Sequence, residues 1–211
     1  MQLTARNLTY RIKDRLLLDR LELTVDRGDS VAIVGPSGVG KSTLLALLGG
    51  LLTPTEGRVR VHGGTAADDG PVNAYVSWVL QTVNVLADRS VLDNVALGGL
   101  SDGLLWDQAT AQVGEALAAV HLDGVADRPV RTLSGGEVQR VVIARALVST
   151  RPFVLADEPT GQLDADTTQR VMDALSAASP TRGVVVVTHD PQVARRCSRI
   201  LRLDGGKLVR Q

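Results

Sequence analysis

Hydrophobic and polar positions along this chain switch between a strand period and a helix period. Residues 1 to 33 read as two or three strands, with Leu3, Ala5 and the region Leu16-Leu17-Leu18 flanking a hairpin-like stretch. Leu21-Glu22-Leu23-Thr24-Val25 then alternates cleanly before the turn Asp26-Arg27-Gly28-Asp29. Val31-Ala32-Ile33-Val34 is apolar without a break, the pattern of a strand covered on both faces. Leu44 to Leu48 reads as a helix that ends at Gly49-Gly50, and Pro54 with Gly57 marks a turn before the strand Arg58-Val59-Arg60-Val61. Residues 62 to 73 are polar and read as a loop with little room for a helix; Ala74 to Leu80 reads as the next strand, with Gln81 at its end. Between residues 82 and 132 the helical period takes over, in Asp88 to Leu97 and Gln108 to Val120, where Val113, Ala116, Leu117 and Val120 fall on one face. No strand pattern returns before Phe153, so this stretch reads as a helical lobe inserted into an α/β core. Trp106, in its middle, reads as a residue packing that lobe.

Leu133-Ser134-Gly135-Gly136-Glu137 opens a helix to about Leu147. Ser134 is placed as its N-cap and Glu137 as the reciprocal partner of a capping box. Two glycines in a first turn cost helix propensity, and they clear side chains from the place where a phosphate could approach the N-terminal N–H groups. Phe153 to Ala156 is an apolar strand ending in the adjacent carboxylates Asp157 and Glu158, a pair suited to a Mg²⁺-directed Asp and a water-directed Glu. After the turn Gly161 to Asp164 and a helix Ala165 to Leu175, the buried strand Gly183 to Val187 delivers Thr188 and His189 to the same sheet edge. Ile200 to Val209, turning at Asp204-Gly205-Gly206, reads as a closing hairpin.

Composition narrows the class. Hydrophobic residues make up 44% of the 211 and charged residues 22%, the balance of a folded globular chain with one sizeable core, or a core with a smaller lobe attached. Lys plus Arg equals Asp plus Glu at 23 each, which argues against a bare polyanion as the main partner; no nucleic-acid partner is expected. The single cysteine, Cys197, excludes an internal disulfide and reads as an inert buried thiol in a helical-looking stretch. The first residues contain no apolar segment of signal-peptide length, and no apolar run reaches the roughly 18 residues of a membrane span. The expectation is a cytoplasmic protein that can sit on a membrane partner.

The densest chemistry lies in Gly35-Pro36-Ser37-Gly38-Val39-Gly40-Lys41-Ser42-Thr43, between a buried strand and an apolar helix, the full context of a phosphate-binding loop. Gly35, Gly38 and Gly40 let the backbone curl until successive N–H groups face inward and, with the helix N-terminus, make a nest for a β-phosphate. Lys41 is placed to reach the β- and γ-phosphates, and the Ser42 hydroxyl to ligate Mg²⁺. Tyr10 is either a base-stacking platform or a hairpin-packing residue.

Taken together, these motifs resemble the ATP-binding subunit of an ATP-binding-cassette (ABC) transporter, over essentially the whole chain. The resemblance implies a P-loop NTPase core of ABC ATPase type, with an N-terminal antiparallel β lobe and the helical lobe at 82–132 inserted within a single nucleotide-binding domain. It implies a Q-loop at Gln81, touching both Mg²⁺ or water and the mobile lobe, and a signature at Leu133 to Glu137. It places the Walker B strand on Phe153 to Asp157, the catalytic Glu at Glu158, the D-loop at Leu163-Asp164, the switch histidine at His189, and an adenine-stacking aromatic at Tyr10. ATP and Mg²⁺ are the implied cofactors. The implied partners are a membrane permease and a second ATPase subunit of the same kind, arranged so that Ser134, Gly135 and Gly136 of one chain cover ATP on the other's phosphate loop. The run Asp157 to Asp164 resembles the macrolide-efflux and lipoprotein-releasing group, as do Val91, Asn94 and Val95. Three features depart from that group: Gln162 replaces the usual Asn, residues 62 to 73 are short for its charged helix, and Leu80 stands where an aromatic is common. A nucleic-acid-linked cassette ATPase and a non-hydrolysing regulatory subunit are the competing readings; the former usually needs insertions or a second cassette that 211 residues do not hold. The surface around Gln81, Asn84, Leu86 and Val91 is expected to receive the permease.

Overall fold

The computed structural model describes residues 1–63, 71–82, 84–161, 163–178 and 181–210. The first sheet has three antiparallel strands in the order β2-β1-β4, formed by β1 (Gln2–Ile12), β2 (Arg15–Asp26) and β4 (Glu56–His62). The second has six, in the order β5-β6-β7-β3-β8-β9. Its strands are β3 (Ser30–Val34), β5 (Val76–Val79), β6 (Phe153–Asp157), β7 (Gly183–Val187), β8 (Arg199–Asp204) and β9 (Lys207–Arg210). All neighbours in it are parallel except the closing β8–β9 hairpin.

The apolar strands follow from what covers them. In β6, Phe153 and Leu155 point into one core while Val154 and Ala156 point into another; in β7, Val185 and Val187 alternate in the same way with Val184 and Val186. The first core is closed by α1 (Lys41–Leu48) and the antiparallel sheet, through Leu44, Leu48, Leu3 and Leu18. The second is closed by α2 (Val91–Leu100), α3 (Trp106–Ala111), α4 (Val113–Ala119), α5 (Gly135–Val148) and α6 (Ala165–Ala178). A short α7 (Pro191–Ala194) is capped by the Asp190 side chain. Both faces of the central strands therefore leave water, which is why they carry no polar alternation.

A partly buried polar cluster fastens the helical subdomain to the sheet. Asp102, just past α2, accepts from Ser149 Oγ and Thr150 N–H, both at 2.7 Å, and pairs with Arg151 Nε at 2.6 Å. Arg151 in turn donates to the carbonyls of Asn73 and Val76 at the entrance to β5. Burial alone would push the Asp102 carboxyl up; the bonds from Ser149, Thr150 and Arg151 outweigh it and hold the carboxyl below its ordinary value.

Residues 1 to 33 supply β1, β2 and most of β3, within the two or three strands expected, and β2 runs unbroken through Leu16 to Val25 because its pairing with β1 runs from Gln2↔Asp26 to Ile12↔Arg15. Other local expectations change in the fold. Residues 72–75 form a 3₁₀ turn, so β5 begins only at Val76. Trp106 does not pack the helical subdomain: it opens α3 and is 47% exposed. Cys197 lies in a bend after α7, half-buried, and burial pushes its thiol up to about 11, well away from reactive thiolate. Residues 64–70 of the expected polar loop lie outside the described residues.

Candidate functional site

Four strands converge at the C-terminal edge of the parallel sheet, where open α/β sheets place their ligands. β3 runs into Gly35, β6 into Asp157 and Glu158, β7 into Thr188 and His189, and β5 into the exposed bend at Gln81. Positive φ angles at Gly38 (74°) and Gly40 (109°) curl the loop, and a Cβ at Gly40 would stand 2.9 Å from Leu17 Cγ. The β1–β2 hairpin thus packs directly on the phosphate loop, and only glycine fits the contact.

α1 starts at Lys41 with no side-chain cap and no acid in its first turn, leaving its leading N–H groups for an anion. Lys41 is 8% exposed, and its Nζ donates to the carbonyls of Gly35 (2.9 Å) and Pro36 (3.1 Å), so the loop itself orients the ammonium. A hollow of about 260 Å³ beside it is lined by Ile12, Arg15 and Leu17 of the hairpin and by Gly40, Lys41 and Ser42. Tyr10 sits further back on β1, half-buried against the α1 core. A second cavity, about 460 Å³, joins His189 to Gly35 and Pro36 across α7 and β8.

Asp157 faces Ser42, which hydrogen-bonds its carboxyl. Burial pushes that carboxyl up, the Ser42 bond pulls it down, and the neighbouring Glu158 charge pushes it up again; the net direction is upward. Its Oδ1 is buried with no hydrogen-bond partner. An orphaned carboxylate oxygen beside a serine hydroxyl is a hard-oxygen donor set, and it suits Mg²⁺. No cluster of three or more His, Cys, Asp or Glu is present among the described residues. Mg²⁺ does not require one, since it characteristically takes one or two protein oxygens and completes its shell with phosphate and water.

Glu158 adopts φ +46°, a costly conformation for a side chain of this size, and its N–H donates to Val187 O at 2.9 Å. One carboxylate oxygen, Oε1, lies 2.8 Å from His189 Nδ1. The strained backbone aims the carboxylate at the imidazole delivered by β7.

The signature residues stand elsewhere. Ser134 caps α5 by accepting from the Glu137 N–H, and the Glu137 carboxylate accepts from the Ser134 N–H and Oγ, each at 2.8 Å. Ser134 and Gly135 are exposed, and neither they nor Gly136 line the hollow at the phosphate loop. Three connections of α5 and α2 were not expected from the sequence. Gln139, 2% exposed, donates to Pro159 O; Arg145 donates to Asn84 O; Asn94 bonds Leu86 and Ser90 through both ends of its amide. The signal for Gln139 was present: a polar residue in the apolar stripe with Val142 and Ala146. Val91 is fully buried, which removes it from any docking surface, whereas Gln81 and Asn84 are exposed and Leu86 is 50% exposed.

A parallel sheet carrying a phosphate loop, and a strand ending in paired carboxylates beside it, define a P-loop nucleoside triphosphatase. The ABC transporter family profile matches residues 18–161. The chain belongs to the ABC transporter family, as an ATP-binding and ATP-hydrolysing subunit. Over 205 residues it is 44% identical to the lipoprotein-releasing system ATP-binding protein LolD of Chromohalobacter salexigens, covering 93% of this chain and 86% of that one. Over 199 residues it is 36% identical to the macrolide export ATP-binding/permease protein MacB of Hyphomonas neptunium, covering 91% of this chain but 31% of that larger protein. Among solved structures, the dimeric structure of MJ0796, a bacterial ABC transporter cassette, superimposes with a TM-score of 0.84 at 34% identity, covering 99% of this chain and 97% of that one. No helix among the described residues is long and apolar enough to cross a membrane.

Proposed function

We propose that this chain is the Mg²⁺-dependent ATPase of a lipoprotein-releasing or macrolide-export type transporter, working as a pair of identical subunits bound to a permease on the inner face of the membrane. The observation that carries the catalytic part is the Glu158–His189 pair set beside Asp157 and the phosphate loop. Gly35, Pro36, Ser37, Gly38, Val39 and Gly40 wrap the phosphates, while Lys41 and Thr43 hold them through the ammonium and the helix N-terminus. Ser42 and Asp157, with Gln81 at the neighbouring strand end, would hold Mg²⁺, which would supply charge neutralisation for the phosphates. Glu158 orients the attacking water and accepts its proton, and His189 keeps the carboxylate aimed and contacts the γ-phosphate. Tyr10 supports the adenine.

Ser134 and Gly135 face outward on a capped helix N-terminus, with Gly136 half-buried behind them, and this supports a head-to-tail pair in which the signature Ser134, Gly135 and Gly136 of each chain closes on the other chain's ATP. The dimeric state named for MJ0796 supports pairing as such. The permease contact falls on Gln81, Asn84 and Leu86, of which Leu86 is an exposed apolar residue. The lipoprotein or macrolide character of the cargo rests on the names of the relatives.

Glu158→Gln tests this reading. It keeps size and reach but removes the proton acceptor, so turnover should drop by about 10² to 10⁴ while ATP binding survives and Mg-ATP drives a stable dimer, detected by size-exclusion chromatography with light scattering. A variant that turns ATP over at the parent rate and stays monomeric would sink the assignment.

A further inference from the structure

α5 joins three parts of the proposed machinery: the signature at its own N-terminus, the turn after Glu158 and the segment beyond Gln81. Its N-terminus presents Ser134 and Gly135 outward, and its far end holds Asn84, beyond Gln81, through Arg145. Gln139, one turn along from Gly135, is buried in the interior and donates from Nε2 to the Pro159 carbonyl at 3.3 Å. Pro159 directly follows Glu158, whose backbone is already strained at φ +46°. Beyond it Gly161 N–H returns to Glu158 O and Leu163 N–H to Thr160 O, so the segment carrying the carboxylate is a tight turn with Gln139 gripping its middle. A buried amide in an apolar helix face must find a partner or carry a desolvation cost, so the contact is specified and not incidental.

We infer that Gln139 is a positioning residue for ATP hydrolysis: its bond to Pro159 O ties the signature helix to the turn that aims Glu158. The inference rests on the role proposed above for Glu158. In a head-to-tail pair, a chain's signature grips the ATP of its neighbour while its own Glu158 works on its own ATP. Through Gln139, closure of α5 on one nucleotide is transmitted to the carboxylate acting on the other. Without that bond the strained turn can relax and Glu158 loses its aim, although the phosphate loop, the signature and the cap are untouched.

Gln139→Met tests this, since it keeps length and burial and removes the donor. The expected result is a fall in kcat of about 10- to 100-fold, the scale of a misplacement near 1 Å, with KM for ATP within twofold of the parent. The melting temperature should fall by no more than about 4 °C, as for one lost hydrogen bond in a chain of this size. In the Glu158→Gln background, Gln139→Met should leave the Mg-ATP-driven dimer intact, because gripping is preserved when only aim is lost. A parent-like kcat would overturn the inference, as would a parallel loss of kcat and of the ATP-driven dimer, which would mark a merely structural residue. The two readings separate cleanly. If Glu158→Gln itself hydrolyses at the parent rate, the role of Glu158 fails; if Glu158→Gln is inactive and Gln139→Met is normal, only the role of Gln139 fails.

Discussion

Replacing Asp102 by Ala should destabilise the chain without touching the nucleotide site. The Asp102 side chain is 4% exposed, and its removal strips acceptors from Ser149 Oγ, the Thr150 N–H and Arg151 Nε at once. Breaking a buried, hydrogen-bonded pair from one side typically costs about 3–5 kcal/mol. Here Arg151 keeps its carbonyl acceptors at Asn73 and Val76 and is itself 24% exposed, so the guanidinium is not stranded and the value falls near the lower end, about 3 kcal/mol. For a chain of this size that corresponds to a drop of about 6–12 °C in melting temperature, from about 2–4 °C per kcal/mol. The pH dependence has a defined sign. Asp102 is held below its ordinary value of 3.8 in the fold, so it stabilises at pH above the unfolded value and this contribution is lost as pH falls through the lower folded value. Thermal and urea unfolding, followed by circular dichroism from pH 7 downward, should show the gap between parent and variant full at neutral pH and narrowing below about pH 4. A gap under about 1 kcal/mol at pH 7, or one that widens on acidification, would refute the cluster as the fastening between helical subdomain and sheet.

Asp157→Asn should raise the melting temperature in the absence of nucleotide while abolishing Mg-ATP turnover. Its carboxyl is raised by burial and by Glu158, so ionisation costs folded-state stability at neutral pH; calorimetry should show the gain vanish in acid, where the parent carboxyl is protonated, and a lower melting temperature at pH 7 would contradict it. Tyr10→Ala should weaken ATP binding several-fold more than Tyr10→Phe if the ring face supports adenine. Equal losses by titration would shift that role to Ile12, Arg15 and Leu17, which line the hollow beside the loop.

The phosphate loop, the Ser134–Glu137 capping box and the buried strands β3, β6 and β7 were legible in the sequence because each is decided within a few residues. Glycines license the curl, a serine with a glutamate three positions on closes a helix end, and unbroken apolar runs demand cover on both faces. Periodicity says that a face is apolar but not what lies against it. Hence Trp106, in a helical stretch, proved exposed, and Val91, expected at a docking surface, proved fully buried. β2 runs as one strand because β1 pairs along its whole length, a fact of register that no local alternation contains. The strand order β5-β6-β7-β3-β8 alone brings Asp157 beside Ser42 and Glu158 beside His189, across more than a hundred residues in the first case and 31 in the second. The grips of Gln139 on Pro159, Arg145 on Asn84 and Asp102 on the α5–β6 junction are likewise products of packing. In each, a polar group taken out of water by the core must bond whichever backbone or side-chain partner the tertiary fold sets within about 3 Å of it.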